Sequence, residues 1–487
     1  MAIKKDKIIS IDQGTSSTRS VLYNENGHLV DAVQEEFEQI FPHDGWVEHN
    51  PEEIWESVLS TLKALVKRNG LNPEEIASIG ITNQRETTVI WNKKTGLAIY
   101  NAIVWQDRRT SKFCEELASY EKLIHQKTGL MIDPYFSATK INWLLRNIEG
   151  AKAQAKNGDL LFGTIDSFLI WKMTEGRSHK TDITNASRTM LFNIEEERWD
   201  PQLLELFDVP PIILPEVCEN VSNFGSTTIL GGEVSIGGVA GDQQAALIGQ
   251  CCFNPGDVKS TYGTGCFMIV NTGEEAIYSE NRLLTTIGYK INGKTTFALE
   301  GSIFVAGSAV QWLRDGLGMF EDSFETEALS KAADEDSKVL VVPALTGLGA
   351  PYWDAEARGA IFGLTRDTGK EEITKATLES IVFQSKDLVE AMKADNASFQ
   401  NLMIDGGMVI NDWFCQKLSN VLEVKVKRPE IIETTSLGAA FLAGLSSGIF
   451  EDFESLNKSK KIEKTFVARE EDHRYLEWKE AVKKVLT

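Results

Sequence analysis

Basic residues are the minority charge in this chain. Fifty lysines and arginines face 71 aspartates and glutamates over 487 residues, a net charge of −21. That deficit argues against nucleic acid or an anionic membrane as the main partner. An anionic substrate would need a local cluster of cations or a metal. Long apolar runs are also missing, so no transmembrane segment is expected. The opening "MAIKKDKIISIDQG" lacks an apolar core followed by a small-residue cleavage site. Cysteine is sparse: Cys114, Cys218, Cys251, Cys252, Cys266 and Cys415 form no C-x-x-C pair and no zinc-ligand spacing. A reduced, cytoplasmic protein is the expectation. The balance of 42% apolar and 25% charged residues is that of an ordinary globular chain. Its length exceeds what one core sustains, so two large domains are expected.

What is present is a repeated pattern. "KIISIDQGTSSTRSVLYNENGHLVDAVQEEF" reads as strand, glycine turn, strand, Asn-x-x-Gly turn and strand. A helix follows in "NPEEIWESVLSTLKALVKRNG". Asn50 is its expected N-cap, Glu53 closes a capping-box-like pair, and Gly70 ends it. A short strand is expected near Ile79–Thr82. Far downstream, "GDVKSTYGTGCFMIVNTGEE" repeats strand, Gly-Thr turn and strand. Two related α/β domains therefore follow, divided as 1–252 and 253–487 near Gln250–Pro255. The tail ends in an amphipathic surface helix.

"GYKINGKT", from Gly288 to Thr295, fits a phosphate-loop pattern. That motif requires a helix beginning at its lysine. Here "TTIGYKI" and "KTTFALE" are strand-like on both sides of Asn292-Gly293, the strongest two-residue hairpin signal. The match is read as a hairpin that holds no nucleotide.

The glycine hairpins are better nucleotide candidates. "DQGTSSTR" offers turn amides, the hydroxyls of Thr15, Ser16 and Ser17, and the Arg19 cation for anionic oxygens. Asp12, at a strand end, is a candidate to hold Mg²⁺ through water. "YGTGC" would face this turn. In "IDGGMVIN" a strand ends at Ile404, glycines turn, and a helix begins near Asn411, an arrangement that lets backbone approach a planar base. Asp242, after the apolar "SIGGVA", has two readings of equal weight: a helix N-cap, or a carboxylate delivered to a cleft. Arg85 and Glu86 offer paired donors and acceptors, although such a dipeptide is ordinarily a surface ion pair.

Together "DQGTSSTR", "TNQRET", "YFSATKINWLLRN", "GVAGDQQAALIGQ", "TYGTGCFM", "IDGGMVIN" and "ETTSLGAAFLAGL" resemble the FGGY family of carbohydrate kinases, within the actin-like ATPase superfamily. The likeness runs in unbroken order over roughly residues 7–450. It implies two ribonuclease-H-like domains around a cleft. It also implies ATP-dependent phosphorylation of glycerol to sn-glycerol 3-phosphate. By this resemblance Asp242 is the catalytic base and a second metal candidate. Arg85, Glu86, Trp105, Tyr135, Gln243 and Phe267 bind glycerol with it. Thr15, Ser16, Ser17, Arg19, Thr264, Gly307, Gln311, Gly407 and Asn411 bind nucleotide. A homo-oligomer, dimer or tetramer, is compatible with the resemblance, and no motif selects one. Kinases of another polyol or a ketose, and a non-catalytic ATPase of the superfamily, remain as alternatives. A nicotinamide dehydrogenase would require G-x-G-x-x-G after the first strand, which "DQGTSSTR" does not supply.

Overall fold

In the computed structural model, residues 4–397, 399–469 and 472–487 are described. Strands β1 (Lys7–Gln13), β2 (Ser17–Tyr23) and β3 (Leu29–Glu36) form a meander. Helix α1 (Pro51–Asn69) then crosses to β4 (Ile76–Asn83), which lies parallel to β1. Residues in β1 alternate faces. Ile9 and Ile11 pack with Ile54, Val58, Leu62 and Leu65 of α1, while Ile8 joins the core on the opposite face. Asn50 caps α1 by accepting from the Glu52 amide at 3.0 Å, and Gly70 closes it in the left-handed region at φ 59°. The expected capping box is not formed. The Glu53 carboxylate accepts instead from the Asn50 side-chain amide at 3.3 Å, so the two side chains pair with each other.

The first sheet is completed by β5 (Val221–Thr227) and β6 (Val234–Gly241), in the order β5-β6-β4-β1-β2-β3. Helix α2 (Asp242–Gly249) leaves β6 directly. The second sheet contains β7 (Val258–Tyr262), β8 (Cys266–Gly273), β9 (Leu284–Ile291), β10 (Lys294–Ile303), β11 (Asn401–Asp405), β12 (Lys425–Pro429) and β13 (Ile462–Phe466). Its order is β9-β10-β8-β7-β11-β12-β13. Both sheets run antiparallel, antiparallel, parallel, parallel, antiparallel, from β3 to β5 and from β10 to β13. The duplication inferred from two Gly-Thr turns is thus a duplication of topology. No sequence pattern marks strand β13; its four exposed residues carry little apolar signal.

Helix α3 (Thr434–Ser447) follows the second sheet in sequence yet packs on the first, against α2, β4, β6 and β1. The approach is backbone to backbone: a Cβ on Gly80 would lie 2.1 Å from the Ala439 carbonyl oxygen. The terminal helix α4 (Arg474–Val482) covers the second core and buries Trp478 completely. All six cysteines are unpaired thiols. No helix among the described residues is long and apolar enough to cross a membrane.

The phosphate-loop match is a two-residue hairpin. Ile291 pairs with Lys294, and Asn292 and Gly293 take φ of 54° and 77°, as a type I′ turn needs. The Gly293 amide donates to the Glu219 carboxylate at 3.2 Å, so a negative charge already occupies the turn. Lys294→Ala should leave the KM for ATP within about a factor of two, and a loss of about tenfold would reverse this reading.

Candidate active site

Three adjacent parallel strands end at one cleft, the usual ligand-binding edge of an open α/β sheet. Asp12 lies near the end of β1, Arg85 and Glu86 follow β4, and Asp242 follows β6. They share a cavity of about 180 Å³ with Thr15, Ser16, Trp105, Tyr135, Gln243, Thr264 and Phe267. The Trp105 ring stands edge-on to Tyr135 and Phe267, with centroids at 5.7 and 5.9 Å. The charged groups lie against these rings: the Arg85 guanidinium sits 5.7 Å from the centre of the Phe267 ring.

Asp242 is not an N-cap. Gly241 holds that position, and Asp242 is the first helical residue, accepting from the Gln243 amide at 2.7 Å. Its carboxylate also meets Arg85 Nε at 3.2 Å, with 28% of the side chain exposed to the cleft. Burial raises its pKa, while Arg85 and Lys259 oppose the rise. Arg85 and Glu86 are not a surface pair, being only 2% and 1% exposed. Glu86 sits in the left-handed region at φ 59°, an uncommon conformation for a side-chain-bearing residue outside such functional turns. Burial pushes Asp12 up to about 7 against the pull of Arg19.

A second cavity, of about 570 Å³, adjoins the first. Ser16, Gly263 and Thr264 line both. Ser17, Arg19, Gly307, Gln311, Gly407 and Asn411 line the larger one. Every residue expected to contact nucleotide is therefore in one or other cavity. Among the described residues, the amides of Thr15, Ser16 and Thr264 donate to no protein group. Gly307 must be glycine, since a Cβ there would lie 2.5 Å from the Gly263 carbonyl oxygen. Arg19 reaches the cavity already engaged, donating to Gln34 at 2.9 Å and pairing with Glu433. Phe324 and Ile410, exposed apolar groups, line the same cavity.

Two family descriptions match in register with this architecture. They are the N-terminal domain of the FGGY family of carbohydrate kinases, over residues 7–249, and its C-terminal domain, over 258–447. The chain belongs to the FGGY family of carbohydrate kinases. It is 55% identical to a glycerol kinase of Marinomonas sp. (strain MWYL1), with 99% of each chain covered. It is 52% identical to glycerol kinase 1 of Pseudomonas aeruginosa, with 98% of each covered. Its fold is similar to the crystal structure of Plasmodium falciparum glycerol kinase with ADP, at a TM-score of 0.89, 37% identity and 99% coverage of both chains. A ligand-bound xylulose kinase from Lactobacillus acidophilus shares the fold at a TM-score of 0.85 and 22% identity, covering 98% of this chain and 96% of that one.

Around this FGGY-family cleft lie charged groups that local pattern did not single out. Glu300 of β10 binds Arg85 through both carboxylate oxygens, at 2.6 and 2.8 Å. Arg188 bridges Glu86 at 2.6 Å and Glu300 at 3.1 Å. Lys259 donates to Thr261 at 2.9 Å and to the Gln243 side chain. A signal existed in "FALEGSIF", where one acid interrupts an apolar strand. A charge buried in a strand needs a partner, but nothing local names which one.

Proposed function

We propose that this chain transfers the γ-phosphoryl group of ATP to a primary hydroxyl of glycerol, giving sn-glycerol 3-phosphate. One observation carries the reading. A small cavity lined by three aromatic rings, four charged side chains and a rim of hydroxyls and glycines adjoins a larger one at the two duplicated glycine hairpins. In this reading the small cavity takes the polyol and the large one takes the nucleotide. Phosphoryl transfer then occurs at Ser16, Gly263 and Thr264, where they meet. The relatives' names support glycerol as the acceptor.

A three-carbon polyol has little apolar surface, so its affinity comes from hydrogen bonds. Arg85 donates to its hydroxyl oxygens, while Glu86, Asp242 and Gln243 accept or exchange hydrogen bonds. Its carbons rest on Trp105, Tyr135 and Phe267. A primary alcohol is a far weaker acid than a carboxylic acid, so Asp242 cannot deprotonate it in the ground state. Asp242 orients the attacking oxygen in line and takes its proton late. The amides of Thr15, Ser16 and Thr264 supply donors where negative charge is transferred.

Asp12 fits a water-mediated role toward Mg²⁺. Among the described residues no protein group hydrogen-bonds its carboxyl, and a nearby cation would draw its pKa down. When bound, the ion would neutralise phosphate charge. A cytoplasmic setting, a division at 252/253 and a homo-oligomer belong to the same reading; the paired sheets support the division. The test is ADP release from ATP with glycerol, dihydroxyacetone and pentuloses in turn. Fastest turnover with glycerol is expected. Preference for a pentulose would transfer the chain to the ketose branch of the family, and glycerol-independent hydrolysis alone would make it an ATPase.

A further inference from the structure

Two side chains that line the small cavity, Arg85 and Glu86, and two behind it, Arg188 and Glu300, form one buried charged lattice. Arg85, Glu86, Arg188 and Glu300 are each at most 2% exposed. Arg85 and Glu86 come from the loop after β4, and Arg188 follows the short helix Ile183–Ser187. Glu300 comes from β10, in the other half of the molecule. The Arg85 guanidinium takes the Glu300 carboxylate in a two-point fork, which fixes its plane as well as its position. The Arg188 fork then ties Glu300 to Glu86, so the acid and the base of the adjacent pair share one frame. Ser302 completes it by donating to Glu300 Oε1 at 3.1 Å.

Stability is a poor explanation for such a lattice. Taking charges out of water costs about as much as their attraction returns, and apolar replacements of buried ion pairs are often neutral or stabilising. Orientation is a better one. Arg85 faces three carboxylates, Glu86, Glu300 and Asp242, at closest approaches of 3.9, 2.6 and 3.2 Å. Only the Nε edge of Arg85 meets Asp242, while its two terminal nitrogens are held by Glu300; without Glu300 they too would be free to turn onto the carboxylate that a substrate hydroxyl needs.

We infer that Glu300 and Arg188 are positioning residues for the alcohol substrate, holding Arg85 and Glu86 in binding geometry and limiting Arg85 to its Nε-edge contact with Asp242. The inference rests on the polyol reading of the small cavity. Because Glu300 belongs to the second sheet, the alcohol pocket is complete only when both halves are docked. The charge state of Glu300 suits this role. Burial would raise its pKa, but Arg188 and Arg85 overcome this and hold it at about 2. It stays ionised over the whole working range.

The test compares wild type with Glu300→Gln, Arg188→Lys and Ser302→Ala. The acceptor is whichever alcohol of the substrate panel the wild type turns over fastest, so a wrong choice of glycerol leaves this test intact. Glu300→Gln and Arg188→Lys should each raise the KM for the alcohol about tenfold or more, the scale of one charge-assisted hydrogen bond, with the KM for ATP within about a factor of two. Ser302→Ala removes one neutral donor, should fold in any case, and should raise only the alcohol KM, by about two- to fivefold. If the charge variants fail to fold, Ser302→Ala decides. Equal shifts in both KM values, or none in a folded variant, would overturn the inference.

Discussion

Asp242→Asn should fold like wild type and lose about 10²–10⁴ of kcat, the usual contribution of a general base. Folding survives for two reasons. Gly241, not Asp242, caps α2, so no cap is lost. The side-chain oxygen of Asn can still accept from the Gln243 amide, as Asp242 does at 2.7 Å. Arg85 loses its ion pair with Asp242 but keeps its hydrogen bonds to Glu300. What disappears is the negative charge that orients the hydroxyl and receives its proton. Glycerol affinity should change less than kcat, since an amide oxygen still accepts. Measuring kcat, glycerol binding and melting temperature on this variant separates chemistry from folding. A folded variant keeping more than about a tenth of wild-type kcat would place the base elsewhere.

The second large effect is expected far from any charge. A methyl group added at Gly438 of α3 would lie 1.8 Å from the carbonyl oxygen of Ala245 in α2, and the reciprocal contact at Gly249 is 2.0 Å from the Thr434 oxygen. Neither obstacle is a flexible side chain; both are helix backbone. Overpacking commonly costs about 1–3 kcal/mol, and the upper end or beyond applies where backbone must move. Gly438→Ala should therefore lower the melting temperature by about 3 °C or more. Activity should fall as well in the folded fraction, because pushing α2 away displaces Asp242 at its first residue. A melting temperature within about 1 °C of wild type would show that the two helices part without cost.

Both effects depend on contacts between residues remote in sequence, where local pattern has least to offer. By itself the sequence determined the local elements. Alternating apolar residues and glycine turns specified the meander of β1 to β3 and the β7–β8 hairpin, because strand period and turn conformation are properties of neighbouring residues. Asn292-Gly293 ruled out a phosphate loop for the same reason. The glycine turns also brought the expected nucleotide residues to a common edge once the duplication was recognised. Tertiary structure decided the rest. It buried the Arg85–Glu86 dipeptide, supplied Glu300 from the second sheet and Arg188 from a separate loop, and laid α3 on the sheet of the first half. The ion pairs that hold the dipeptide join residues more than 100 positions apart. A buried charge announces that a partner is needed, since an unpaired one is too costly to keep out of water, but only the packed chain selects the partner.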